Sequence, residues 1–427
     1  MIVVAAGLAL RVAYALWKGD QAVIGDAAFY RFQSQALADG HGFLAPGAFY
    51  FGHTVILSAE HPPLYTLYLT VAQLLGITDA TGLRLWSALL GVPTILATIA
   101  AGRALAGDRV GLLAGGLAAV SPLLVMTDGL VMSESITATA VALSVWLAAR
   151  AFRDPTRSTV AWFGAAAGLA ALARAELVLL LPIVLGALAV RRAGGSVRHR
   201  LALVGIGLAV ASLVMAPWVV RNLTTFERPV LLSDGWDITT IGANCPTTYS
   251  GPLIGLNDIT CGKRLKEGRD QSVTFARART IGLRYARDHL DRLPAVAFAR
   301  LGRTFGFFNA RQQVGFDYYL ERRERPISYA GFAVWWLSVG FGIHGLVVLH
   351  RRKVSTVPIL APVAAVAIAV VVTYGNTRLR IPADVSVLIA AAVSVGALLD
   401  RARNRSIGTA ASTSSAISSG ILSRTKP

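Results

Sequence analysis

The chain has 427 residues, 54% of them apolar and only 15% charged, with a mean hydropathy of +0.57. Soluble domains carry about 25% charged residues, so the balance excludes an ordinary soluble fold and indicates an integral membrane protein. The net charge of +18 does not indicate nucleic acid, because the basic residues flank apolar runs, in "RAFRDPTR" (150–157), "RRAGGSVRHR" (191–200), "HRRK" (350–353) and "DRARNR" (400–405), which is the positive-inside pattern.

The first apolar run, 1–17, contains the small-x-small triplet Ala13-Tyr14-Ala15 but no basic n-region. It therefore reads as a first membrane helix rather than a cleaved signal, although it is short for a span of roughly 20 residues. Its Arg11 either snorkels to the interface or faces the protein interior. Further apolar segments cover 82–105, 109–126, 132–150, 159–173, 176–190, 201–220, 329–349, 356–374 and 381–399. The fifth and sixth of the ten occupy 32 residues broken by "ARAE" (173–176). One helix of that length would be about 48 Å long, too long for a hydrocarbon core of about 30 Å. Two short spans with Arg174 and Glu176 at the turn fit better, and their basic flanks then share a side.

Ten spans with both termini cytoplasmic place every short basic loop inside. The loops holding Asp26, Glu60, Asp128, Arg174 and Arg378 then lie outside. Two outer segments are long, 18–81 and 221–328; the second is exempt from the charge rule by its length. Within it, 270–310 reads as helical, either as a cap on the spans or as an interfacial helix near anionic lipid. Cys245 and Cys261, in "NCPTTYSGPLIGLNDITC", are expected to form a disulfide closing a 17-residue loop, worth about 3 kcal/mol in a chain-entropy model. The Ser/Thr/Ala-rich tail, 400–427, reads as disordered.

Among the outer acids, Asp20 and Asp39 sit among loop formers and read as solvated. Asp26 precedes an amphipathic pattern over 27–37 (Phe29, Phe32, Ala36, Leu37), and its position fits either a helix N-cap or a catalytic carboxylate. In "AEHPPLYTLYL", Pro62-Pro63 suit the first turn of a short interfacial helix, 64–75, and put Glu60 and His61 at its anion-favouring start. In "YGNTRLRIPADVSVL" (374–388), Arg378 and Arg380 stand at the outer mouth of the last span, against the positive-inside bias. They either snorkel to lipid phosphates or clamp a phosphate, which the planar guanidinium suits. Glu134 in "MSESI" reads as part of a cap with Ser133, or as a site residue. Arg174 and Glu176 read as the hairpin's own ion pair, or as site residues. Trp236 and Tyr249 read as packing or as sugar-stacking rings.

Four patterns in order resemble the GT-C superfamily: Asp26 with Tyr30 after the first span, Glu60-His61-Pro62-Pro63-Leu64, "GLAALARAE" (168–176), and Arg378-x-Arg380-x-Pro382 before the last span. The chain is most similar to the glycosyltransferase family 39 group, which includes protein O-mannosyltransferases and lipid A aminoarabinose transferases. The resemblance implies an all-α bundle of about ten transmembrane helices. It also implies transfer of a sugar, hexosyl or pentosyl, with inversion, from a polyprenyl-phosphate carrier to a glycan, lipid or protein acceptor on the outer face. Asp26 would be the general base or would orient the acceptor. Tyr30, Glu60 and His61 would line the donor site, with Glu60 holding a divalent metal in some members. Arg378 and Arg380 would hold the leaving phosphate. The chain departs from the pattern at Ala27, where many relatives have a second acid, at Phe29, where some carry Arg, and at His61, where some carry Lys.

The expected organisation is a transmembrane module over 1–220 with a catalytic outer loop (18–81), an exoplasmic loop over 221–328, terminal spans over 329–399 and the tail, in a bacterial plasma membrane. Two rival readings are a transporter or flippase of lipid-linked sugars, which would bury ionisable groups at mid-span and show an internal repeat, and a non-catalytic envelope subunit, which would separate Asp26 from the arginines by more than about 15 Å.

Overall fold

The computed structural model describes residues 1–422 except 192–194, 264 and 266–267, with side chains described as far as residue 404. Every one of the ten apolar segments is helical. Among the described residues, five helices are long and apolar enough to cross a membrane: Ala80–Ala106, Glu134–Arg153, Val197–Thr225, Arg325–Arg351 and Thr377–Asn404. Asp108–Val120 and Pro122–Asp128 form a sixth span if the pair, bent by 59°, is counted as one. The other four segments are shorter helices: Ile2–Lys18, Arg157–Ala173, Leu180–Val190 and Val357–Val372. The protein is an all-α, multi-pass membrane protein.

Pro122 explains both the bend and the fate of Arg11. A proline has no N–H, so it cannot serve the Ala118 carbonyl, and the break also frees that of Ala119. In a membrane such carbonyls need a substitute donor. Arg11, fully buried, donates to both, at 3.1 and 3.0 Å, and its charge is met by Asp128 at 2.6 Å. Arg11 therefore faces the interior rather than snorkelling.

Small residues set the closest helix contacts, as expected where lipid offers no hydrophobic drive between helices. A side chain at Gly345 would lie 1.9 Å from the Ala390 carbonyl, so glycine is what lets Arg325–Arg351 press against the last helix. That last helix, Ile381–Leu422, runs past residue 399 into the tail expected to be disordered. Residues 401–422 hold several alanines and no proline, so nothing in them forbids helix; residues 423–427 lie outside the described residues.

The basic connections gather at one end of the bundle, where Arg109 pairs with Asp400 at 2.7 Å and Arg191 donates to the Phe152 carbonyl. The two long loops gather at the other. The first carries helices Asp26–Ala38 and Leu64–Leu74. The second carries Gly235–Ala243, Gln271–Asp288, Leu293–Phe305 and Ala310–Glu321, so the single helical stretch expected over 270–310 is broken at 289–292. Cys245 and Cys261 form a disulfide. Buried Arg300 donates to the carbonyls of Ala243 and Val371, both at 2.7 Å, tying the second loop to the end of Val357–Val372. This is the cap arrangement. Leu290 and Phe298 remain exposed on it.

Candidate active site

A cavity of about 640 Å³ opens where the long loops meet the bundle. Asp26, Tyr30, Glu60, His61, Arg174, Glu176 and Arg378 line its polar part, and Val366 to Val372 supply an apolar wall. Trp236 faces the cavity, whereas Tyr249 is buried against Tyr285 and His289.

Asp26 does not cap its helix. The N-cap is Gly25, at φ +58°, a left-handed conformation that a residue with a Cβ adopts only under strain. This turn makes Asp26 the first helical residue and leaves its carboxylate unspent on the backbone. The carboxylate instead accepts from Arg378 at 2.5 Å. Its side chain retains 31% exposure. Burial pushes its carboxyl up, but Arg378 and then His61 outweigh burial and hold it at about 2.

Arg378 sits in a 3-10 turn, Thr377–Arg380, whose N-terminus is capped by Asn376. Its other edge donates to the Tyr374 hydroxyl at 3.0 Å, and its Nε lies 3.4 Å from Glu321 and 4.0 Å from Glu134. Arg380 does not join it. Residues two apart in a 3-10 turn point about 120° away from each other. Arg380 is 1% exposed, lies 3.1 Å from Asp384, stacks on Trp335 at 4.5 Å and does not line the cavity. The expected pair of clamping arginines is thus one arginine from this motif.

Arg174 supplies the second. It breaks the helix Arg157–Ala173, pairs with Glu176 at 2.6 Å as the hairpin reading expects, and also reaches Glu134 at 2.9 Å. Glu134 lies in the first turn of its helix behind Ser133, which makes no side-chain cap.

His61 stands between the rings of Phe29 and Tyr30, at centroid distances of 4.8 and 4.9 Å. Its Nε2 is buried with no hydrogen-bond partner among the described residues. Burial lowers its pKa; Asp26 pulls it up, while Arg378 and Arg174 push it further down. It is therefore neutral at pH 7. Glu60 is held by its neighbours: Gln271 donates to its carboxylate at 3.4 Å and Ser233 to its carbonyl.

Glu321 and Tyr374 escape the sequence reading. Tyr374 lies four residues before Arg378, a spacing that could have flagged it. Glu321, in "DYYLERRER", carries no periodic signal at all.

Among the described residues, no group of three ligand atoms for a divalent ion includes Asp26 or Glu60. Among the described residues only Cys245, Asp258 and Cys261 bring three ligand atoms within 4.8 Å, and two of those atoms are the disulfide sulfurs. Asp26 is paired with Arg378, and Glu60 belongs to no such group.

A family model described as dolichyl-phosphate-mannose-protein mannosyltransferase matches residues 60–220. An oligosaccharyltransferase from Archaeoglobus fulgidus, solved with Zn and sulfate, superposes with a TM-score of 0.57 and 14% identity over 94% of this chain and 50% of that one. The chain has the fold of GT-C membrane glycosyltransferases. A second structure of the archaeal enzyme, AglB with an inhibitory peptide and a dolichol-phosphate, gives 0.53 and 13% over 95% and 52%. ArnT from Cupriavidus metallidurans bound to undecaprenyl phosphate gives 0.45 and 16% over 92% and 77%. The chain spans about half the length of the archaeal structures it matches. No curated protein matches its sequence.

Proposed function

We propose that the protein is a glycosyltransferase that takes a sugar, with inversion, from a polyprenyl-phosphate carrier and passes it to an acceptor hydroxyl on the outer face of a bacterial cell membrane. The observation that carries this is the cavity itself: three carboxylates (Asp26, Glu60, Glu176) and two arginines (Arg174, Arg378) border it, beside an apolar wall from Val366 to Val372. A lipid-linked phosphate needs both surfaces at once. Support comes from the mannosyltransferase family model over residues 60–220 and from the dolichol-phosphate in the archaeal structure of like fold.

In this reading Arg378 and Arg174 hold the phosphate. The acceptor oxygen attacks the anomeric carbon from the opposite face, its proton passes to Asp26, and the bond from that carbon to the phosphate oxygen breaks. Charge develops on the leaving phosphate, where one well-placed donor is worth about 3 kcal/mol. Asp26 and Arg378 cannot do this while bonded to each other. The phosphate replaces Asp26 on Arg378, and the freed carboxylate becomes the base. His61 and Tyr30 wall the donor side as neutral groups. No step is routed through a metal.

The rival readings gain nothing specific. A transporter would use its buried mid-span charges, but Arg11 and Asp128 are engaged with each other and with a broken helix. A non-catalytic subunit would hold Asp26 far from the arginines, whereas Arg378 is 2.5 Å away. The test is incubation of the full-length protein with polyprenyl-phosphate hexoses and pentoses. Release of polyprenyl phosphate from at least one supports the reading; release from none contradicts it. The same panel identifies the sugar.

A further inference from the structure

We propose that Glu134 is a positioning residue that joins Arg174 and Arg378 into one phosphate-binding pair. The inference rests on reading those arginines as phosphate ligands. They come from distant parts of the chain, one at the break after Ala173 and the other in the turn before the last helix. A single oxygen, Oε1 of Glu134, is 2.9 Å from Arg174 and 4.0 Å from Nε of Arg378. Two guanidinium groups this close repel one another, and a shared carboxylate between them is what keeps them converging.

The acids around the arginines divide into two kinds. Asp26 and Glu176 line the cavity with them, on the side a phosphate would enter. Glu134 and Glu321 do not line it; Glu321 lies 3.4 Å from Arg378 but is not paired with Arg174, whereas Glu134, 1% exposed, reaches both arginines. An arriving phosphate therefore competes with Asp26 and Glu176, while Glu134 stays in place. The hydrogen bond its carboxylate accepts comes from Arg174 and not from its own helix, and its position in the first turn favours a negative charge. Its second oxygen, Oε2, is buried with no hydrogen-bond partner among the described residues. A buried carboxylate in that condition is retained by the cations around it: Arg174, Arg378 and, without a direct contact, Arg323.

The experiment measures binding of a polyprenyl monophosphate, and of the uncharged polyprenol of equal length, to the full-length protein in detergent. The proteins compared are the wild type, Glu134→Gln and Glu134→Asp. Glu134→Gln keeps the shape and loses the charge. It is expected to bind the phosphate about tenfold more weakly and the alcohol unchanged, as misalignment of charge-assisted hydrogen bonds predicts. Glu134→Asp keeps the charge one methylene further away and should fall between the two. Equal phosphate binding in wild type and Glu134→Gln overturns the proposal. So does a loss shared by phosphate and alcohol, which marks a scaffold role. If Glu134→Gln does not fold, Glu134→Asp decides: a loss confined to the phosphate supports the proposal, and no loss or a shared loss overturns it. A wild type that binds phosphate and alcohol alike contradicts the underlying reading of the arginines, a result distinct from any defect in the variants.

Discussion

Asp26 and Arg378, 352 positions apart in sequence, meet in an ion pair of 2.5 Å on the wall of one cavity. A carboxylate held at about 2 is a weak base. In the proposed reaction the pair is therefore a resting arrangement, which the donor phosphate would have to open before Asp26 could take a proton.

Opening the pair has a pH signature. In the free protein Asp26 is ionised at every pH above its lowered pKa, and it loses its base form only as pH falls through about 2. Once phosphate occupies Arg378, the carboxyl returns toward the usual value of about 3.9. Because kcat/KM reports the free enzyme and kcat the complex, the acid limb of kcat should lie at higher pH than that of kcat/KM. Steady-state rates from pH 6 down to about pH 2, in protein shown to stay folded there, check this; coincident limbs contradict the displacement.

His61 should act as a neutral group. Its pKa lies below the usual value of about 6.5, so its contribution to stability is full above that value and is lost as pH falls toward the folded pKa. Transfer should not decline between pH 6.5 and 8, and thermal stability should fall below pH 6.5 in the wild type but less in His61→Gln. A rate that drops through pH 7 as the solution is made alkaline would show that the imidazolium is required.

Arg380 should matter for stability and not for the donor. It pairs with Asp384 inside the bundle. Arg380→Gln alone strands a buried acid, a loss of about 3 to 5 kcal/mol. The double variant Arg380→Gln/Asp384→Asn removes both charges, and it should lower Tm while leaving donor KM within about twofold. A tenfold rise in that KM with Tm unchanged would return Arg380 to the phosphate.

The disulfide should persist in protein extracted from membranes under non-reducing conditions. Mass spectrometry should recover Cys245 and Cys261 in linked peptides, and Cys261→Ser should lower stability by about 2 to 4 kcal/mol. Recovery of both thiols free refutes the bond in the native protein.

The ten helices were legible because hydropathy and the basic flanks are one-dimensional signals that a bilayer forces on any chain. That Asp26, Glu60, His61, Arg174 and Arg378 share a side was expected from topology, and the structure brings the five to one cavity. What failed depends on angles and folds that spacing does not encode. The pattern "RLR" does not reveal that a 3-10 turn sends Arg380 inward. Asp26 looks like a cap until Gly25 takes that place. Glu321 comes from a loop helix whose packing is purely tertiary, and Glu134 looks like a helix start until Arg174 is seen beside it.

The central claim is that Asp26 is the base for transfer from a lipid phosphate. It is tested most directly by Asp26→Asn in membranes supplied with a lipid-linked sugar that the wild type uses. The account predicts a loss in kcat of at least about a hundredfold, with polyprenyl phosphate binding retained or tightened because Arg378 is no longer occupied. Undiminished transfer by Asp26→Asn would contradict it.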